Sequence, residues 1–201
     1  YKDASIEFQK NKTTLIYGKS GTGKSTLLNI ILGLIKVNQG DIFFDNIEIK
    51  NIDKNSIRKK IGFVNQEPII FNLSLKENLK IRDQSITDEL IHQYLKEFSL
   101  DSLVSDKNID INYIVDEKSS NLSGGEKQRI AFIREIIFNP KILILDEPTT
   151  SLDDENKKII LNFIKSIKDK TTIIIVSHEK DYFDLSDNIY ELINNKFIKN
   201  K

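Results

Sequence analysis

The sequence predicts an α/β protein with a mostly parallel core sheet, a small antiparallel β region and an α-helical subdomain inserted in its middle. Three observations lead there. A glycine-rich stretch, GKSGTGKST (Gly18–Thr26), sits between an apolar β-branched run and a helical pattern. Two later runs, ILIL (Ile142–Leu145) and TIIIV (Thr172–Val176), are almost wholly apolar, as parallel strands covered on both faces are. Between about Gln66 and Phe138 the pattern turns helical, after which β-rich patterning returns.

Taken in order, TTLIY (Thr13–Tyr17) reads as a strand feeding the glycine-rich loop. STLLNIILGL follows with helical spacing, and Gly33 is placed to end that helix. GDIFFDNIEIK alternates around Asp45-Asn46, a pair suited to a hairpin turn, and IGFV (Ile61–Val64) reads as a buried strand. SLKENLKI and TDELIHQYLKEF are amphipathic helices, the second with Thr87 as N-cap and Glu89 in its first turn. A polar stretch from Asp106 to Asn121 leads to SGGEKQRIAFIREIIF, a helix starting at Ser123. KILILDEP and TTIIIVSH are strands with a helix between them, from about Asp153 to Ile167. NIYELI and KFIK read as closing edge strands. The expected organisation is one domain over 1–201, with a core lobe at about 1–65 and 139–201 and a helical subdomain at about 66–138.

Composition narrows the function. Thirty basic residues balance thirty acidic ones, so the basic excess of a dedicated nucleic-acid binder is missing. The 39% hydrophobic content is spread in short runs, none near the ~20 residues of a membrane span. With no Cys there is no disulfide framework, thiolate metal site or Cys nucleophile. The chain has no Met, at position 1 or elsewhere, and opens inside what reads as a strand, so we expect a piece of a longer polypeptide or a chain lacking its start.

Gly18–Thr26 fits G-x-x-x-x-G-K-[ST] in the strand–loop–helix setting that makes it a nucleoside triphosphate site. Gly18, Gly21 and Gly23 let backbone N–H groups turn inward, with Lys19, Ser20, Thr22 and Thr26 completing the loop. Lys24 is expected to reach the β- and γ-phosphates, and the Ser25 hydroxyl to ligate Mg²⁺. Asp146 closes an apolar strand at the sheet's carboxyl edge, where it would hold Mg²⁺ through water, and Glu147 could act as general base. Alone, an apolar strand ending in Asp-Glu is equally a solvated strand end. LSGGEKQR (Leu122–Arg129) makes a second phosphate-facing helix start, which one active site has no use for unless it serves a nucleotide held by another copy.

These motifs together resemble the nucleotide-binding domain of ATP-binding cassette (ABC) proteins, a P-loop NTPase of the RecA-like kind. LSGGEKQR resembles the family signature; Gln66 in VNQEP matches the Q-loop, Ser151–Asp153 the D-loop, and His178 in VSH the switch histidine. The match runs from about residue 1 to the end without a large insertion. The resemblance implies two such domains pairing head to tail around two ATP molecules. Each ATP would be held by Lys24 of one copy and by Ser123, Gly124 and Gly125 of the other. Gln66 would sense Mg²⁺ and the γ-phosphate, Asp153 would cross the interface, and His178 would bond the γ-phosphate. On its residues alone, His178 equally suits a strand-end surface position.

Two stretches resemble the exporter branch: QEPIIFNLSLKENL (Gln66–Leu79) and the acidic segment IVDEKSSNLSGG, where Glu117 matches the family acid. Asp116 and Ser119 replace glycines common there. The apolar Ile69–Phe71 suits either a docking coupling helix or ordinary core. The resemblance thus implies an ATPase that powers export, working with a transmembrane domain at the cytoplasmic face of the inner membrane. The second ABC domain would be a homo- or heterodimer partner. The alternative is a soluble ABC ATPase acting on nucleic acid or ribosomes; neither a long coiled coil nor a second cassette is present, and no nucleic acid is expected. Tyr1 lies too close to Gly18 for the family's adenine-stacking aromatic, which is expected upstream in a missing N-terminal part of the domain.

Overall fold

The structure, a computed structural model, describes residues 1–201 except 2, 3, 20, 68, 102, 104–109, 116–121 and 151. Ten strands and six helices are described: β1 (Thr13–Tyr17), α1 (Lys24–Ile31), β2 (Phe43–Phe44), β3 (Ile47–Glu48), α2 (Lys54–Arg58), β4 (Ile61–Val64), β5 (Leu73–Ser74), α3 (Leu75–Lys80), α4 (Asp88–Glu97), β6 (Ile114–Val115), α5 (Gly124–Ile136), β7 (Ile142–Asp146), α6 (Asp154–Ile167), β8 (Thr172–Ser177), β9 (Asn188–Ile193) and β10 (Lys196–Lys199). Contacts divide them into two compact units. The first is Tyr1–Phe63, Lys141–Glu147 and Lys168–Lys201; the second is Val64–Pro140 and Pro148–Ile167.

The first unit is built on a six-stranded sheet in the order β10-β9-β1-β8-β7-β4. β8 runs parallel to both β1 and β7, with Leu15 opposite Ile175 and Leu145 opposite Ile175. These strands can be nearly all apolar because both faces are covered: Leu15, Ile16, Leu143, Ile144, Leu145, Ile173 and Ile175 are fully buried. Leu27, Leu28 and Ile31 of α1 close one face by packing with Ile16, Ile144, Ile174 and Val176. The spacing of those three side chains is the helical stripe legible in the sequence. The helix then stops, with Gly33 at φ +67 just after its C-cap, Leu32. The β2–β3 hairpin turns through Asp45 and Asn46, at φ 46 and 67, a two-residue turn that needs positive φ twice.

Two expectations are corrected. NIYELI does not close an edge: β9 lies between β10 and β1, parallel to β1 and antiparallel to β10. Its Ile189, Tyr190 and Leu192 are buried accordingly, and only β10 forms the edge on that side. The opening residues are not a strand either; Tyr1 and residues 4–12 carry none. Instead the Tyr1 ring packs at 5.2 Å from that of Phe197, and its hydroxyl donates to Gly23 O at 2.6 Å.

The second unit is helical around an aromatic core. Phe98 lies 5.6 Å from Phe132 and 5.0 Å from Phe163, and the Phe132 and Phe163 rings meet edge to face at 5.9 Å. Phe163 is on α6, which is why 148–167 groups with this unit although the sequence pattern assigned that stretch to the core lobe. Its helices start on side-chain caps. Ser74 accepts from Glu77 N while Glu77 accepts from Ser74 N, a capping box, and Thr87 accepts from Leu90 N. β5 and β6 form a short antiparallel pair, Leu73 opposite Val115. Among the described residues no helix is long and apolar enough to cross a membrane.

Candidate active site

Strand register builds the site in the first unit. Tyr17 pairs with Ser177 and Asp146 with Val176, so β1, β7 and β8 end level. The residues that leave those ends, Gly18, Glu147 and His178, therefore emerge at one carboxyl edge, the usual ligand position in such sheets. Gly18 is hemmed in, since a Cβ there would come within 3.1 Å of Leu192 O, and Gly21 and Gly23 take φ +78 and +104. Thr22 Oγ1 donates to Lys19 O at 2.9 Å and tightens the loop. Thr26 is exposed in the first turn of α1, and Ser20 lies outside the described residues.

Lys24 opens α1 and turns back over the loop, its Nζ donating to Gly18 O at 2.7 Å and Lys19 O at 3.0 Å. The same ammonium is 3.9 Å from Glu147 Oε1, with side-chain exposures of 7% and 9%. Glu147 adopts φ 46, an unfavourable backbone for a residue with a Cβ, held by its N–H bond to Val176 O at 2.9 Å. Its Oε2 accepts from Ser177 Oγ at 3.0 Å, and its Oε1 lies 3.0 Å from His178 Nδ1. A carboxylate only accepts, so this contact puts the proton on Nδ1. The His178 side chain is 53% exposed, so its other nitrogen remains reachable.

Asp146 hydrogen-bonds the Ser25 hydroxyl. Burial pushes its carboxyl above the ordinary value and the Glu147 charge adds to this, while the Ser25 bond and the Lys24 charge oppose it. One buried carboxylate beside one hydroxyl suits a hard cation that keeps waters and takes its other oxygens from phosphate, which is how Mg²⁺ binds. No cluster of three or more His, Cys, Asp or Glu occurs among the described residues, so the site offers no all-protein cage.

The remaining candidates belong to the second unit. Ser123 is the N-cap of α5: its Oγ accepts from Glu126 N at 3.2 Å while Glu126 Oε2 accepts from Ser123 N at 2.7 Å. This capping box leaves the N–H groups of Gly124 and Gly125 directed out of the helix end, and a Cβ on Gly124 would meet open space. A Cβ on Gly125 would approach Asn156 and Leu152 at 3.5 and 3.6 Å, so this end packs beside the start of α6. There Asp153 accepts from Asn156 N and Nδ2, both at 2.8 Å; its carboxylate is engaged within its own chain as a helix cap. Gln66 is exposed in the loop after β4, its N–H held by Asn65 Oδ1 at 2.9 Å. Asp116, Glu117, Ser119 and Ser151 lie outside the described residues.

The structure thus gathers Lys24, Ser25, Asp146, Glu147 and His178, and adds Ser177, which the sequence marked only as a strand residue before His178. Within the second unit, Gln128 is a buried side chain of α5 whose Nε2 donates to Pro148 O at 3.4 Å. No pattern in the sequence flags either contact, because each joins segments remote in the chain.

Comparison with known proteins agrees with this geometry. Residues 1–150 match the family model described as ABC transporter. The chain is 32% identical over 201 residues to multidrug resistance protein 1 of Entamoeba histolytica, covering 98% of this chain and 15% of that protein. It is also 32% identical over 191 residues to a probable multidrug resistance ABC transporter ATP-binding/permease protein of Bacillus subtilis, covering 95% and 28%. The fold is similar to a bacterial Atm1-family ABC exporter solved with ATP bound, at a TM-score of 0.86 and 27% identity, over 96% of this chain and 34% of that one. The chain spans about a third or less of the length of the curated relatives that it matches. It belongs to the ABC transporter family and corresponds to that family's ATPase domain.

Proposed function

We propose that this domain hydrolyses Mg·ATP at a composite site formed by two copies, or by one copy and a related domain, and that the hydrolysis powers export across a membrane. One observation carries the reading: Lys24, Glu147 and His178 meet at the level ends of three parallel strands, with Asp146 and Ser25 beside them. The loop N–H groups of Gly18–Thr26 and the Lys24 ammonium would cradle the β- and γ-phosphates, and the start of α1 adds its positive dipole end. Ser25 and Asp146 would hold Mg²⁺, which when bound offsets phosphate charge; Gln66 would approach it from the Q-loop. Glu147 is the group to orient the attacking water and accept its proton, and His178 is the group to contact the γ-phosphate.

The exposed N-terminal end of α5 supports a composite site. A helix start with two glycines and a satisfied capping box presents N–H groups to an anion without a side chain in the way. Ser123, Gly124 and Gly125 would therefore grip the ATP held by a second copy, with Asp153 near the same interface. Export is supported by the multidrug-resistance and exporter relatives. It is also supported by Ile69 and Phe71, apolar yet 54% and 39% exposed and fixed from below by Arg134. Arg134 Nη1 donates to Ile69 O at 2.7 Å and its guanidinium lies 5.1 Å from the Phe71 ring centre. A short helix of a membrane domain would cover these side chains, with the ATPase at the cytoplasmic face of the membrane.

Mixing two inactive variants tests the composite site. Ser123→Arg blocks the signature end but leaves ATP binding to a single copy intact, and Lys24→Ala removes the phosphate grip. A mixed dimer retains one site with Lys24 from one chain and Ser123 from the other. The expected result is ATP turnover in the mixture that neither variant shows alone. A mixture as inactive as its components, from chains that still bind one another, overturns the composite site.

A further inference from the structure

We propose that Ser177 is a positioning residue for Glu147, locking the carboxylate so that one oxygen faces the reaction while the other is tied to the sheet. The inference rests on the reading of Glu147 as the base. Ser177 ends β8 and is 1% exposed. Its Oγ accepts from Glu179 N at 3.1 Å, a bond between residues two apart that fixes where the hydroxyl lone pair points. With that lone pair engaged, the O–H proton is directed at Glu147 Oε2, 3.0 Å away. Oε1 is thereby turned toward His178 Nδ1 at 3.0 Å and Lys24 Nζ at 3.9 Å.

The need for such a lock follows from the backbone. Glu147 follows β7 at φ 46, in the left-handed region, with its N–H bonded to Val176 O of β8 but its side chain not fixed by that bond. A Glu side chain has three rotatable bonds and loses much entropy when fixed. Pinning one oxygen to a buried, pre-oriented hydroxyl removes most of that freedom, and preorganisation of this kind is what a base needs in order to meet a water at a fixed place. β8 provides the anchor because Ser177 and His178 are adjacent. One strand end thus sets two contacts of the carboxylate, Ser177 on one oxygen and His178 on the other.

The test uses Ser177→Ala and Ser177→Thr in the 201-residue chain, read three ways. First, steady-state ATP hydrolysis: Ser177→Ala is expected to lower kcat by about tenfold to a hundredfold, the value of a hydrogen bond to a charged group, with KM changed by no more than about twofold. Thr keeps the hydroxyl and suits a strand, so it restores kcat to within about threefold of the parent. Second, equilibrium binding of a fluorescent ATP analogue, expected unchanged in both variants. Third, ¹⁵N chemical shifts of the imidazoles in the nucleotide-free chain at one alkaline pH. The chain has only two His, and His92→Gln assigns His178. The parent shows the proton of His178 on Nδ1; Ser177→Ala shifts it toward Nε2, and Ser177→Thr does not.

A parent kcat in Ser177→Ala, an equal loss in the Thr variant, or an unmoved His178 signal in Ser177→Ala overturns the proposal. Glu147→Gln separates this from failure of the underlying reading. If that variant turns over normally, Glu147 is not the base; if it is dead while Ser177→Ala is normal, only the positioning role falls.

Discussion

Replacing Glu147 by Gln changes the site's charge with almost no change of shape, and the structure fixes the sign of two separate effects. Turnover falls because Gln cannot accept the water's proton; a lost general base costs about 10²- to 10⁴-fold in kcat, or about 3–5 kcal/mol of barrier. ATP affinity moves the other way. Glu147 Oε1 sits 3.9 Å from Lys24 Nζ, both side chains being buried, and competes with phosphate for that ammonium. At an effective dielectric constant of about 20 this attraction is about 4 kcal/mol, and a third of it returned to the phosphates tightens binding about tenfold. Phosphate release under excess ATP measures the first effect, and titration with a fluorescent ATP analogue measures the second. Undiminished turnover removes Glu147 from the base role. Weaker binding would show that the Lys24–Glu147 contact organises the loop and does not compete with its ligand.

Two further outcomes test the scaffold. Phe132→Ala empties the centre of the Phe98–Phe132–Phe163 cluster, where Phe132 is fully buried. Urea unfolding should show a loss of about 3–5 kcal/mol, and a loss under about 1 kcal/mol would mean that the cluster is not a core. Acid should also destabilise the chain through its helix caps. The Asp53 carboxyl is held below its ordinary 3.8, chiefly by the Ser56 N–H, and Asp153 below 3.8, chiefly by the Asn156 N–H. Glu77 is likewise held below 4.5, chiefly by the Ser74 hydroxyl. Since these values are depressed on folding, the caps stabilise above the ordinary values, and that contribution is lost as pH falls through the folded ones. Asp53→Asn, still a good cap, should keep neutral-pH stability and flatten the acid decline. A steeper decline in that variant would reverse the assigned sign.

Much of the fold was legible in the sequence wherever one segment carries its own instructions. The apolar runs of β7 and β8, the Leu27–Leu28–Ile31 stripe, the Asp45-Asn46 turn and the Thr87 cap all act within a few residues of themselves, so pattern and chemistry suffice. The same holds for the glycine-rich loop, where positive φ at Gly21 and Gly23 and the capping start of α5 at Ser123 are local properties. β9 was misread as an edge because alternation in one strand says which face is buried and nothing about which strands lie beside it. The allotment of α6 escaped for the same reason: its amphipathic stripe is plain, but only the three-dimensional packing of Phe163 against Phe98 and Phe132 assigns it to the helical unit.

By itself, then, the sequence pointed to a nucleoside triphosphate on a strand–loop–helix, to an acidic strand end and a strand-end histidine beside it, and to a second helix start suited to an anion. Only tertiary structure decided that the first three of these become one site. β8 is threaded between β1 and β7, although 154 residues of sequence separate Tyr17 from Thr172 in the order Thr13–Tyr17, Ile142–Asp146, Thr172–Ser177. Parallel pairing aligns the ends of those three strands, and alignment of ends is what brings Lys24, Glu147 and His178 within reach of each other. The hydroxyl of Ser177 acquires its part in the site at the same step. A hydrogen bond spanning 30 positions in the chain has no local signature, since it exists only once burial has fixed both of its ends.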